Sequence, residues 1–556
     1  MRFLLIIAGA VCSSFALAQT ADFSSAKELF DQERWPELAQ LLHRAPRDSA
    51  DLTFYYGVAL AHLERWGEAH ETLLKGEQLA PGDKRFPIEL AGVAYKQEKP
   101  GEAKRYLRRA LRLDPTDSYA NDFAATLYFL EGNTEAALKH WNRDGKPGIA
   151  DVRIEPPLRL RPVLLDHAFA FAPASILTRD QLLASDARVR TFAIFPGYRF
   201  DLDARDDSKF NLTFRAQERN GFGSTKLEAL LRTFGGIGFQ EVTPEYYNLR
   251  RSAANLVSLV RWDPDKRRAY LWLSGPLGDD PKWRYRLGTD LRNENWDLQT
   301  SFSGPSTLLG SMNLRREAIA GEITRLVGAR WKWTTGIELS HRDYRNVFAG
   351  VALTPQLLSQ GWQLKQTATF DYELWRDPEH RITLASGLRS EAGRLFSSAN
   401  QSFEKLQPFL EAHWLPRSRG SDYETLWRAS AGKTFGRLPF DELYMLGAER
   451  DNGLWLRAHL GTRHGRKGSA PLGRDFFLTS WETNKNVYSN GLFTATLGPF
   501  IDTGRSWDST AVLGSHKWLV DTGAQARLRV WGIGVAFSYG KDLRSGNNAF
   551  FATIAH

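Results

Sequence analysis

Residues 283–294 read Trp-Arg-Tyr-Arg-Leu-Gly-Thr-Asp-Leu-Arg-Asn-Glu. In an extended chain successive side chains point to opposite faces. Trp283, Tyr285, Leu287, Thr289 and Leu291 therefore share one face, and Arg284, Arg286, Gly288, Asp290, Arg292 and Glu294 share the other. One face suits lipid and the other suits water. Charges at that density are ruinous in the packed core of a sandwich but ordinary in a water-filled lumen. The alternation returns at 331–342, where Trp331, Trp333, Thr335, Ile337 and Leu339 oppose Lys332, Thr334, Gly336, Glu338, Ser340 and Arg342, and again at 382–389 and 493–504. Asp263-Pro264-Asp265-Lys266, Asp279-Asp280-Pro281 and Asp377-Pro378 are turn signals between such runs. At about 10 residues per strand plus turns, residues 251–556 predict an antiparallel transmembrane β-barrel of about 14 to 16 strands, even in number. The competing architecture is a soluble β-sandwich or propeller. Trp and Tyr at the strand ends suit interfacial girdles and favour the barrel.

Upstream, residues 146–250 predict a small α/β connector. Gly145-Lys146-Pro147-Gly148 ends a helical pattern, a hairpin is expected from Tyr198–Ala204 and Phe210–Gln217, and a helix from Lys226–Phe234 before Gly235-Gly236. Residues 23–145 carry a repeat of 33 to 34 residues: Trp66-Gly67-Glu68-Ala69, Pro100-Gly101-Glu102-Ala103 and Asn133-Thr134-Glu135-Ala136, with a shorter first copy at Trp35-Pro36-Glu37-Leu38. Each fragment is expected at a turn between two helices, with Ala69, Ala103 and Ala136 letting the helices approach. Leu79-Ala80-Pro81 and Leu113-Asp114-Pro115 end their units. The whole chain thus reads as α then β: a helical superhelix, a connector and a barrel.

At the N-terminus Arg2, the apolar run Phe3–Val11 and Ala16-Leu17-Ala18 predict an export signal over residues 1–18, cleaved before Gln19. The only cysteine, Cys12, lies within it, so the mature protein is expected to have no disulfide, thiolate metal site or cysteine nucleophile. Charged residues are 25% and apolar ones 42%, with a net charge of +9, which fits neither a helical membrane protein nor a disordered chain. No run approaches 18 apolar residues after the N-terminal segment, leaving only a barrel to cross a bilayer.

Three pieces near the C-terminus come in order: Leu456-Arg457-Ala458-His459 in a long loop rich in Gly and Arg, Thr479-Ser480-Trp481-Glu482 in the next strand, and Gly498-Pro499-Phe500-Ile501-Asp502-Thr503-Gly504 in the one after. Here the chain resembles the BamA/TamA-like outer-membrane assembly and two-partner-secretion barrel superfamily, the bacterial surface antigen family. In that family a loop carrying Val-Arg-Gly-(Phe/Tyr) folds back into the lumen and its Arg meets acidic residues of following strands. The resemblance implies that Arg457 pairs with Glu482 and Asp502, with Leu456, Ala458 and His459 beside it; Ala458 and His459 depart from the family's Gly and aromatic. A buried guanidinium needs carboxylates to fill its fork, which supports the pairing on physical grounds. The repeats resemble the tetratricopeptide family, with Glu68, Ala69, Glu102, Ala103, Glu135 and Ala136 at the repeat turns. The connector suggests a degenerate polypeptide-transport-associated module.

The resemblance implies an outer-membrane protein, with repeats in the periplasm, that inserts or translocates polypeptides. An export conduit for exopolysaccharide or surface lipoprotein is the alternative, and a docking protein of the envelope a third. Expected partners are a periplasmic protein or peptide on the repeats, and outer-membrane lipid with lipopolysaccharide; no nucleic acid and no cofactor are expected. No Gly-x-Ser-x-Gly, His-Glu-x-x-His or phosphate-loop spacing occurs, so no enzyme activity is expected. His459 and His464, five residues apart, are expected to be solvated side chains rather than metal ligands. The basic run Arg457–Arg474 is expected to face acidic headgroups, or to give a lumen plug an anion preference.

Overall fold

The computed structural model describes residues 23–43, 49–207, 209–299, 306–397, 400–490, 493–508, 512–515, 517–530 and 533–555. The expected export signal lies outside them. Two compact units divide between Lys146 and Pro147.

The first unit is helical. Residues 23–31 and Trp35–Leu42 precede three antiparallel helix pairs: Ala50–His62 with Trp66–Leu79, Arg85–Lys96 with Pro100–Leu113, and Ser118–Leu130 with Thr134–Trp141. Ser49, Asp117 and Asn133 cap the helices they precede by accepting from backbone N–H groups. Gly57 permits the closest approach in the first pair, since a Cβ there would stand 2.6 Å from Leu73 Cδ2. The repeated fragments do not sit in the turns themselves. Glu68, Glu102 and Glu135 occupy the first turn of each second helix, where a carboxylate suits the positive end of the helix dipole, and Ala69, Ala103 and Ala136 are wholly buried behind them.

In the second unit the connector begins with strand Gly148–Glu155, continues through helices Pro162–Ala168 and Arg179–Phe192, and closes with the hairpin Gly197–Ala204 and Lys209–Gln217. The last of these strands is central, parallel to Gly148–Glu155 and antiparallel to Gly197–Ala204. The first strand and both helices go beyond the sequence expectation; Pro162 opens the first of these helices, where its missing N–H costs nothing. The connector core of Leu164, Leu165, Val189, Phe192 and Phe214 runs on into Tyr247 and Ala253.

Fourteen long strands follow, from Ala254–Arg261 to Asn548–Ala555, each antiparallel to the next. They are preceded by an irregular edge strand in two pieces, Glu241–Val242 and Glu245–Leu249, both paired with Ala254–Arg261. The barrel wall thus starts at Glu241, about ten residues earlier than expected, because the Leu249–Ala254 hairpin already belongs to it. The order of neighbours around the wall sets Asn548–Ala555 beside Glu241–Val242. The seam is its weakest place: no paired register among the described residues joins those two segments. Counted with its edge, the wall has an odd number of strands among the described residues, fifteen rather than an even number.

The two faces of the wall differ as a membrane barrel requires. Leu287, Ile319 and Ile337 point outward at 52, 65 and 62% exposure, while Asp290, Glu294, Ser340 and Arg342 are buried inside. Exposed tryptophans form two belts. Trp331, Trp375 and Trp414 stand at the end with short turns, and Trp362, Trp507 and Trp518 at the end with long loops. The connector packs at the short-turn end, where Arg161 pairs with Asp279 and Arg284 donates to the Thr191 carbonyl. Among the described residues no helix is long and apolar enough to cross a membrane.

Candidate functional site

The longest link in the barrel joins Tyr423–Gly436 to Asp475–Ser489 and does not project away from it. Its stem is a short pairing of Tyr444–Met445 with Leu472–Gly473. Its tip is a hairpin, Thr462–Arg463 with Arg466–Lys467, turned by His464 and Gly465 in positive φ, the geometry a two-residue turn between twisted strands demands. Lys467 bridges to Trp296 on the inner wall. Gly540 makes room for the descending chain: a Cβ there would lie 2.8 Å from the Arg457 carbonyl oxygen.

Arg457 is 3% exposed and uses its whole fork. Nε and NH2 donate to the two oxygens of Asp502 at 2.8 and 2.7 Å; NH1 donates to Glu482 at 2.9 Å and to Gln525 at 2.8 Å; NH2 also reaches Ser480. Its backbone N–H donates to Asp502 as well, and the guanidinium lies 3.8 Å from the centre of the Phe500 ring. Strand parity places these partners: 480 and 482 face inward on one strand, 500 and 502 on the next, and 525 on the third. The structure therefore brings together the three residues singled out in sequence. Leu456 and Ala458 are buried beside them, and the Ala458 N–H donates to Asp521.

Two further anchors hold the loop on other walls. Asp451 accepts from Arg261 at 2.9 Å and Arg268 at 2.6 Å and lies 3.4 Å from Lys467, which itself reaches Glu294 at 2.6 Å. Asp441 and Glu442 meet Arg342, Arg316, Lys365 and Lys405, with Arg342 to Asp441 at 2.5 Å and Gln363 donating to Glu442 at 2.9 Å. Sequence reading found neither anchor. The available signal was inward parity: Arg342 already stood on the charged face, and a cation buried there requires an anion from somewhere.

His459 corrects its expectation. It is 1% exposed, with Nδ1 3.0 Å from Asp521 and Nε2 3.8 Å from Asp542. Carboxylates on two neighbouring strands thus flank opposite edges of one imidazole. These three residues offer ligand atoms within 4.8 Å of one another, and the Nδ1 contact together with the Ala458 N–H donated to the same Asp521 carboxylate ties this part of the loop to the wall. His464 is exposed as expected. The basic run is corrected too, since Arg457 and Lys467 are neutralised by the wall's own carboxylates and are not free for an external anion.

The charges at the loop anchors set a pH expectation. Burial pushes the Asp451 and Glu442 carboxyls up, but the surrounding cations win and hold both well below the ordinary range: Lys467, Arg268 and Arg261 for Asp451, and Lys365, Lys405 and Arg342 for Glu442. A carboxylate lowered by folding contributes stability above its unfolded value of about 4 and loses it only as pH falls through the lower folded value. Limited proteolysis of the loop in the detergent-solubilised full chain should therefore give one pattern at pH 7 and pH 5. New cleavage within 437–474 at pH 5 would contradict these anchors.

No protein-family model matches the chain, and no curated protein matches it. Among solved structures, BamA from Haemophilus ducreyi lacking POTRA domains 1–3 is 11% identical, covering 73% of this chain and 84% of its own at a TM-score of 0.40. CdiB from Escherichia coli is 12% identical, covering 74% and 75% at 0.43. MamA is 16% identical over 21% of this chain and 71% of its own, at 0.21. The fold described above rests on the chain's own strand registers.

Proposed function

We propose that this chain is an outer-membrane barrel whose job is to insert or translocate polypeptide, with the N-terminal repeats gathering a periplasmic protein or peptide. The observation that carries the reading is the loop 437–474, held by buried charges on three walls of the lumen. An open conduit has no use for so costly a plug, whereas a barrel that handles polypeptide at its wall needs a sealed lumen. The motif resemblance of Arg457, Glu482 and Asp502 supports the same reading. The connector at the short-turn end supports a periplasmic position for it, since outer-membrane barrels keep short turns on that side. We read it as a module of the polypeptide-transport-associated kind. Lipid and lipopolysaccharide meet the outer face. No cofactor is required, because an exposed strand edge templates an incoming strand by backbone hydrogen bonds.

Planar-bilayer recording separates this from glycan or lipoprotein export through an open lumen. The purified full chain should show small, flickering conductance. Large, steady conductance would contradict the plug and put the conduit in its place.

A further inference from the structure

The odd strand number leaves a problem at the seam, and helix Lys226–Phe234 stands where the problem is. Because each strand of the wall is antiparallel to the next, the edge strand and the final strand run the same way and cannot extend the antiparallel ladder to each other. The helix runs opposite to the edge strand. Gly221, before it, bridges Tyr247, while the Thr243 N–H donates to the Thr233 carbonyl near its end, and the helix also packs on strand Ile533–Asp542. At the turn that follows, a Cβ on Gly236 would lie 2.7 Å from the Glu241 carbonyl oxygen and 3.1 Å from Ile554 Cδ1, so the segment touches both flanks of the seam.

The helix is two-faced. Glu228 pairs with Arg219 at 2.9 Å, and Arg232 pairs with the inward-facing Glu245 and with the Tyr247 hydroxyl at 3.0 Å. Leu227, Leu230 and Phe234, at i, i+3 and i+7, form the opposite stripe, continued by Ile237, and are 47, 56, 51 and 53% exposed. The strands on either side expose Val260, Leu271, Tyr539 and Phe550 on their outer faces, so the stripe continues the lipid-facing belt across the seam.

We infer that helix Lys226–Phe234 is part of the barrel wall, taking the place of a strand at the seam, and that Leu227, Leu230 and Phe234 are covered by lipid acyl chains. This rests on the membrane reading proposed above. A helix satisfies its own backbone hydrogen bonds, so it can stand in the wall beside a seam where no paired register among the described residues joins the edge strand to the final strand.

The test places a nitroxide label singly at Leu227→Cys, Leu230→Cys and Phe234→Cys in the full chain carrying Cys12→Ser, reconstituted in phosphatidylcholine vesicles. Leu271→Cys on an outward strand face is the lipid reference and the exposed repeat residue Tyr119→Cys the water reference. At the three helix sites, collision with oxygen should exceed collision with a water-soluble nickel chelate several-fold, as at position 271. Three separate sites guard against one variant failing to assemble. If 271 reads lipid while the helix sites read water, or are shielded from both quenchers as in a protein contact, the helix assignment is overturned. If 271 itself reads water, the membrane reading fails and the helix inference with it.

Discussion

Replacing Arg457 by alanine should cost the folded barrel about 3–5 kcal/mol, the usual consequence of removing one partner from a buried, hydrogen-bonded charge cluster. Asp502 is fully buried and Glu482 nearly so, and without the guanidinium their charges are left to Ser480, Gln525 and Arg527. The check is urea unfolding of the refolded full chain, followed by loss of the compact band on unheated gels. Arg457→Lys should recover only part of the loss, because an ammonium keeps the charge but cannot donate to Asp502 through two nitrogens while also reaching Glu482. A midpoint unchanged in Arg457→Ala would mean that the cluster does not hold the loop.

The second large effect belongs to Asp451→Asn. This carboxylate gathers Arg261, Arg268 and Lys467 at one point, and the isosteric amide removes the anion without changing the shape. The expected loss is again about 3 kcal/mol or more. Its signature differs from that of Arg457→Ala: loosening the loop where it meets Arg261 and Arg268 should raise single-channel conductance and expose the chain around 451 to protease, while Lys467 still reaches Glu294. Asp180→Asn, on an exposed helix start, should leave stability within about 0.5 kcal/mol. Equal conductance in Asp451→Asn and the parent would sink the anchoring role.

The barrel was legible because its signal is a period of two carried by strong residues. Leu287 and Ile337 point out, and Asp290 and Arg342 point in, as the alternation requires. The Arg457 cluster was legible because its partners lie on consecutive strands at inward parity and their motif is local. The other two anchors were not, since Asp441, Glu442 and Asp451 reach strands far off in the chain and carry no motif: Gln363 to Glu442 spans 79 positions and Arg261 to Asp451 spans 190. His459 was misread for a related reason. Spacing to His464 says nothing about Asp521 and Asp542, which come from strands paired across a hairpin. The helix Lys226–Phe234 was found in sequence, but its place at the seam depends on strand parity counted around the whole ring.

The most direct test of the central claim is the outer-membrane and surface proteome of cells lacking this chain against cells carrying it, with surface glycan quantified in parallel. A polypeptide transporter predicts loss of one or a few envelope proteins with glycan unchanged, and the same loss in cells carrying Arg457→Ala. Loss of a glycan with every envelope protein intact would contradict the account and leave the barrel an export conduit.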